Sequence, residues 1–274
     1  MSENLKQFIL ERHKKAKKGY EGIFELGEWE GLHKTLSLFY PDNAHFVFEL
    51  LQNAEDAGAS KVRFDLLNES LIFKHNGTKD FNEQDIKSIT GIGSSTKKED
   101  TNTIGKFGVG FKSVFVYTTT PQIYSKSINF KIENLFIPSL IEPKSITKGY
   151  TTLFVFPFDR DDKPKEDAYR EVKKLFDELS DNVLLFLTNI NTLEWQISNS
   201  KTHKITKEKN NELVTIKNTQ KETIHWLVFD KANEYKGVDK PLTLSIAFKF
   251  NKIENKIVPI KGDVSIFFPA KKEF

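Results

Sequence analysis

Glu49 and Asn53 stand four residues apart in the run Glu49-Leu50-Leu51-Gln52-Asn53-Ala54-Glu55-Asp56-Ala57. That spacing puts both side chains on one face of a helix. Apolar neighbours flank both, so the face is not plain solvent. A carboxylate placed there can orient or deprotonate a water. An amide oxygen can ligate a magnesium ion that also holds phosphate oxygens. Taken alone, such a pair is in most proteins ordinary helix surface.

A second group is Ile104-Gly105-Lys106-Phe107-Gly108-Val109-Gly110-Phe111-Lys112-Ser113. Glycines at 105, 108 and 110 expose backbone N–H groups. With a helix starting near Phe111, those groups and the helix dipole form an anion site. Lys106 and Lys112 add positive charge for phosphate. Phe111 intrudes between Gly110 and Lys112, so the run is not GxxxxGK[ST], and it also fails GxGxxG. A structural glycine-rich turn would read the same way.

Two weaker signals accompany these. His75-Asn76-Gly77 follows an apolar strand and reads as a hairpin turn, or as a polar wall for a base. Thr151-Thr152 leads the strand-like run Leu153 to Phe156, which is unremarkable by itself. No Ser/His/Asp or HExxH arrangement occurs, and the six histidines are scattered.

The elements that must position these residues follow from periodicity. A helix is predicted over 42–57, since Phe46, Leu50, Ala54 and Ala57 recur at helical spacing and Gly58 ends the run. Strands are predicted at 61–67 and 70–74, and a short helix at 82–90. From Gly91 to Gly110 five glycines (91, 93, 105, 108, 110) bracket the polar stretch 94–103. Such a loop in a compact domain reads as a segment that closes over a ligand. Strands are predicted at 122–125, 129–132 and 151–156, a linker at 159–167, and a helix at 167–179. The apolar stretch 183–196 is strand-rich toward its end. A polar, Lys-rich stretch at 201–211 marks a soft boundary. Strand-like alternation returns at 212–216, 223–229, 242–250 and 264–268. The N-terminus, 1–18, reads as an amphipathic helix with Leu5, Phe8 and Ile9 on one face, not as a signal peptide.

Composition excludes several classes. No cysteine is present, so disulfides and thiolate metal sites are ruled out, and a cytoplasmic setting fits. The 41 basic and 38 acidic residues leave a net charge of +3, which does not indicate nucleic acid. The longest apolar run, 183–187, is far too short for a membrane span.

The four pieces, in this order between about Tyr40 and Phe158, resemble the four boxes of the Bergerat-type (GHKL) ATPase superfamily. Within it the chain is most similar to the sacsin-like and heat-shock-chaperone-like ATP-binding domains. His75-Asn76-Gly77, the run 91–97 (Gly-Ile-Gly-Ser-Ser-Thr-Lys), Ile123-Tyr124-Ser125 and Ile132-Glu133-Asn134 carry that nearer likeness.

The resemblance implies an α+β fold: a two-layer α/β sandwich with a mixed, mostly antiparallel sheet covered by helices on one face. With the soft boundary, the expectation is an ATP-binding domain over 1–200 and a β-rich extension over 201–274, or there the start of a second domain. ATP and Mg2+ are the implied cofactors. Glu49 becomes the general base, Asn53 the magnesium ligand and Asp56 a brace for the site. Ser95, Thr96, Gly105, Lys106, Phe107, Gly108, Val109, Gly110, Phe111 and Lys112 would surround the phosphates. His75, Asn76, Gly77 and Thr152 would face the adenine, with Thr151 the rival in register. The family's Asp-x-Gly-x-Gly motif is altered here, with His75 for the Asp and Lys79 for the second Gly. Neutral His75 or the Asn76 carbonyl could accept the bond that the Asp normally accepts.

The activity implied is slow, magnesium-dependent hydrolysis of ATP to ADP, with lid closure as a switch in a longer protein and ATP-dependent homodimerisation as a further expectation. The alternatives are a nucleotide-gated chaperone or scaffold module without turnover, and the ATPase part of a DNA-transaction or phage-defence protein.

Overall fold

The computed structural model describes residues 2–31, 45–91, 110–233, 242–253 and 256–260. Its framework is a 12-stranded sheet ordered β12-β11-β10-β9-β8-β7-β1-β2-β6-β3-β4-β5. The strands are β1 (Lys61–Leu67), β2 (Ser70–His75), β3 (Gln122–Ser125), β4 (Asn129–Glu133), β5 (Ile137–Leu140) and β6 (Thr152–Pro157). The others are β7 (Thr192–Ile197), β8 (His203–Asn210), β9 (Leu213–Asn218), β10 (Lys221–Asn233), β11 (Leu242–Ile253) and β12 (Lys256–Pro259). Neighbours run antiparallel except β1 and β7, which are parallel.

Helices α1 (Glu3–Glu25), α2 (His45–Asp56), α3 (Glu83–Thr90) and α4 (Lys165–Asp177) accompany the sheet. Alternation decides which face they cover. Along β1, Val62, Phe64 and Leu66 are buried, while Lys61, Arg63 and Asp65 are less so. Phe64 stacks on Phe73 of β2 at 4.5 Å and meets Phe176 of α4 at 5.3 Å. Such ring pairs add about 0.5–1.5 kcal/mol each beyond area burial. Leu5 and Ile9 of α1, five residues of α2 and Ile86 of α3 belong to the same apolar cluster. The expected α+β sandwich with helices on one face is therefore observed.

Several expectations shift in detail. The segment after Gly110 is a seven-residue 3-10 helix, Gly110–Val116, rather than the start of an α-helix. Its dipole is correspondingly short, so the helix-dipole part of the anion-site expectation is withdrawn. His75-Asn76-Gly77 is not a hairpin turn: β2 is bonded to β1 and β6, and the chain leaves Gly77 toward α3. The Lys-rich stretch expected as a soft boundary carries β8, which pairs with β7 and β9. Its alternation was hidden because Ile205 is the one buried residue along it, and Lys207, on the same face, turns its ammonium to Leu187 O. The expected strand at 264–268 lies outside the described residues.

Candidate functional site

Helix α2 is the spine of the site. Phe46, Val47, Leu50, Leu51 and Ala54 bury its apolar face, and none is more than 3% exposed. That orientation leaves Glu49 and Asn53 half-buried at the rim, as their spacing requires. Glu49 lies against the main chain at Gly110. A Cβ built on Gly110 would lie 2.5 Å from Glu49 Cδ and overlap its carboxylate. The first two motifs, 61 residues apart in sequence, thus meet at one corner, and only a glycine permits it.

Among the other loop residues, Ser95, Thr96, Gly105, Lys106, Phe107, Gly108 and Val109 lie outside the described residues. Phe111 turns into the core, with its ring 6.1 Å from Phe154 and 6.4 Å from Phe156. Lys112 is also turned inward, 7% exposed, and donates to Ile89 O at 2.6 Å and to Leu135 O. Its side chain has a task inside the fold, unlike the phosphate contact expected of it. Burial, aided by the charge of Arg12, lowers its pKa to about 7.

The C-terminal end of α2 carries the base-side residues. Gly77 packs so tightly on Ala57 that an added Cβ would meet Ala57 Cβ and O at 2.9 Å. Thr78 and Lys79 N–H groups donate to Ala57 O at 3.0 and 3.2 Å. Lys79 Nζ donates to Asp56 O at 2.5 Å. Asn76 is committed to the start of β1: its Oδ1 accepts from Ser60 N and Lys61 N, at 2.9 and 2.8 Å. Both acceptor sites on that oxygen are filled, so the expected bond from a base is not available there.

His75 is 4% exposed, and burial holds its pKa down to about 4. Its Nδ1 accepts from Gly77 N at 3.0 Å. The neutral ring therefore carries its proton on Nε2. It presents a donor where the resembled motif's Asp presents an acceptor. The expectation that His75 accepts a bond from an adenine amino group does not survive this tautomer.

Register places Thr152 beside it. His75, Thr152 and Ser125 align across β2, β6 and β3, and all three are buried. Thr151 is exposed, and its Oγ1 donates to Gly77 O at 2.6 Å. Thr152 is thus the inward residue, and Thr151 ties β6 to the glycine turn.

Sequence reasoning missed Glu55. It is 4% exposed and accepts from Thr188 N, Thr188 Oγ1, Asn189 N and Ile190 N at 2.5–2.9 Å. The signal was available: Glu55 lies four residues after buried Leu51 and so falls on the apolar face. A carboxylate there must find donors. Among the described residues, no three or more His, Cys, Asp or Glu gather to hold a metal. A magnesium ion held by one amide oxygen and by phosphates would not require such a cluster.

The described site is thus a mixed, mostly antiparallel sheet over helices, with Glu49 at a helix rim against the main chain at Gly110. The comparisons agree with it. The family model described as the sacsin domain matches residues 66–147. Human sacsin is 35% identical over 104 residues, covering 31% of this chain and 2% of sacsin. Protein NO VEIN of Arabidopsis thaliana is 26% identical over 182 residues, 57% of this chain and 7% of that protein. The chaperone protein HtpG of Sulfurovum sp. is 26% identical over 275 aligned positions, 85% of this chain and 43% of the chaperone. The chain spans less than half the length of each of these relatives. The resemblance to the Bergerat-type superfamily, and within it to sacsin-like and heat-shock-chaperone-like domains, is borne out.

Proposed function

We propose that the chain is a magnesium-dependent ATP-binding domain that hydrolyses ATP slowly to ADP and acts as a conformational switch in a longer protein. The observation that supports this most is the contact of the Glu49 carboxylate with the backbone at Gly110. A carboxylate there would serve as the general base for phosphoryl transfer to water beside a glycine-rich phosphate motif. Asn53, one turn along the same face, would hold magnesium. Bound magnesium would neutralise charge developing on the phosphates.

The protein's own residues have separable tasks. Glu49 orients and deprotonates the water. Gly110, with Gly105, Lys106, Phe107, Gly108 and Val109, cradles phosphate through backbone N–H groups. Ser95 and Thr96 would stand at the edge of a lid that closes on the nucleotide. Thr152, beside His75, forms the inner wall for the base, and bonding there runs through water or Nε2–H. Asp56 braces the site through the Lys79 contact.

Residues 1–200 would form the nucleotide unit and 201–274 an extension that continues its sheet. No described helix is long and apolar enough to cross a membrane. The compartment is proposed to be cytoplasmic, with downstream domains and ATP-dependent dimerisation as accompanying properties.

Isothermal titration of ATP and ADP with magnesium, on the wild type and Asn53→Ala, tests this reading. Micromolar binding weakened by Asn53→Ala is expected. Absence of binding to the wild type would overturn it.

A further inference from the structure

Lys112 stands two residues after Gly110, inside a turn whose other buried members include Phe111, Val114 and Phe115. An apolar side chain would fill this position without the cost of desolvating a charge. The ammonium must therefore be explained by what it holds. Its Nζ donates to Ile89 O in the last turn of α3 and to Leu135 O in the turn between β4 and β5. It also lies 5.5 Å from the Phe115 ring centroid.

The turn that offers Leu135 O is itself unusual. Asn134 and Leu135 have φ of 46° and 69°. A bulky residue in the left-handed region persists only where its surroundings over-determine it. Lys112 is one such determinant, since it binds the carbonyl of the strained residue. Arg12 of α1 secures the same corner, donating to Thr90 Oγ1 and, at 3.4 Å, to Lys87 O.

We propose that Lys112 is a positioning residue, whose ammonium ties Ile89 and Leu135 to the turn that carries Gly110 and so sets the backbone against which Glu49 rests. The proposal rests on the nucleotide reading only for its activity readout.

Titration adds a sign that a purely structural role would lack. Burial lowers the Lys112 pKa most, and the charge of Arg12 on α1 adds to it. Protonated Lys112 ties the turn at pH below about 7, and the tie weakens as the proton leaves. Stability moves the other way. Between about 7 and 10.5 the unfolded chain binds the proton and the folded chain does not, so Lys112 makes the fold more stable as pH rises.

The test compares the wild type, Lys112→Arg and Lys112→Met by three readouts: amide exchange at residues 110–116, urea stability, and ATP turnover from pH 6 to 9. Lys112→Met is expected to speed exchange at 110–116 by about tenfold relative to β1 and β2. It should lower turnover by about tenfold and make it insensitive to the Lys112 titration, because a small misplacement of reacting groups is costly. In the wild type, turnover should fall and stability rise over the same pH range. Lys112→Arg should keep turnover at high pH. Unchanged exchange in Lys112→Met would overturn the proposal, as would wild-type turnover and stability that rise together. A wild type without turnover would sink the hydrolysis part of the proposed function instead, and the exchange data would still decide the role of Lys112.

Discussion

The two ends of α2 treat a carboxylate in opposite ways. Glu49, in the N-terminal half, is half-buried and rests on a glycine main chain. Glu55, at the C-terminal end, is buried and receives four hydrogen bonds from residues 188–190. A carboxylate saturated with donors is a fastener, because each lone pair used for structure is unavailable to a substrate. Glu49 stays at the helix rim, where the residue against it is a glycine without a side chain. The same division separates the Gly110 corner from the His75–Lys79 turn, where His75 Nδ1, Asn76 Oδ1 and Ala57 O are all spent on the fold.

Removing each group should expose the contrast. Glu55→Ala leaves the N–H groups of Thr188, Asn189 and Ile190 without their acceptor. The expected loss is on the order of 3–5 kcal/mol of unfolding free energy, read by urea denaturation. A loss below about 1 kcal/mol would erase the difference between the two carboxylates. Glu49→Ala should do the reverse, lowering ATP turnover on the order of 100-fold while stability stays within about 1 kcal/mol.

The His75 ring sharpens the base-side half. Its folded pKa of about 4 lies below the ordinary 6.5, so the unfolded chain binds the extra proton between those values. Its stabilising share is full above about 6.5 and is lost as pH falls toward 4, on the order of 3 kcal/mol in all. His75→Gln should flatten stability across that window in pH-dependent melts; an unchanged slope would place the titration elsewhere.

Glycine substitutions give the smallest and most discriminating pair. Gly77→Ala pushes against Ala57 backbone and should cost on the order of 1–3 kcal/mol. Gly110→Ala meets only the far end of the Glu49 side chain, which can swing away. It should cost under about 1 kcal/mol of stability yet lower turnover about tenfold. Equal stability losses in the two variants would mean that Glu49 is as fixed as Ala57.

Much of this was legible before folding. The period of α2, the strands β1, β2 and β3, and the short helix α3 are all local patterns, and the structure follows them. The edge strand β5, with Pro138 inside it, and the lysine-rich β8 were not legible, because their pairing comes from neighbours rather than from alternation.

The sequence by itself determined that Glu49 and Asn53 share a helix face and that a glycine motif follows them, because side-chain periodicity and glycine's missing Cβ are properties of the chain. Only the tertiary structure decided which groups remain to do chemistry. It sent Lys112 to Ile89 and Leu135, and it spent Asn76 on Ser60 and Lys61. It also fixed the His75 proton on the nitrogen away from Gly77. Hydrogen bonds saturate, and whether a polar group is already satisfied depends on residues brought beside it from far along the chain.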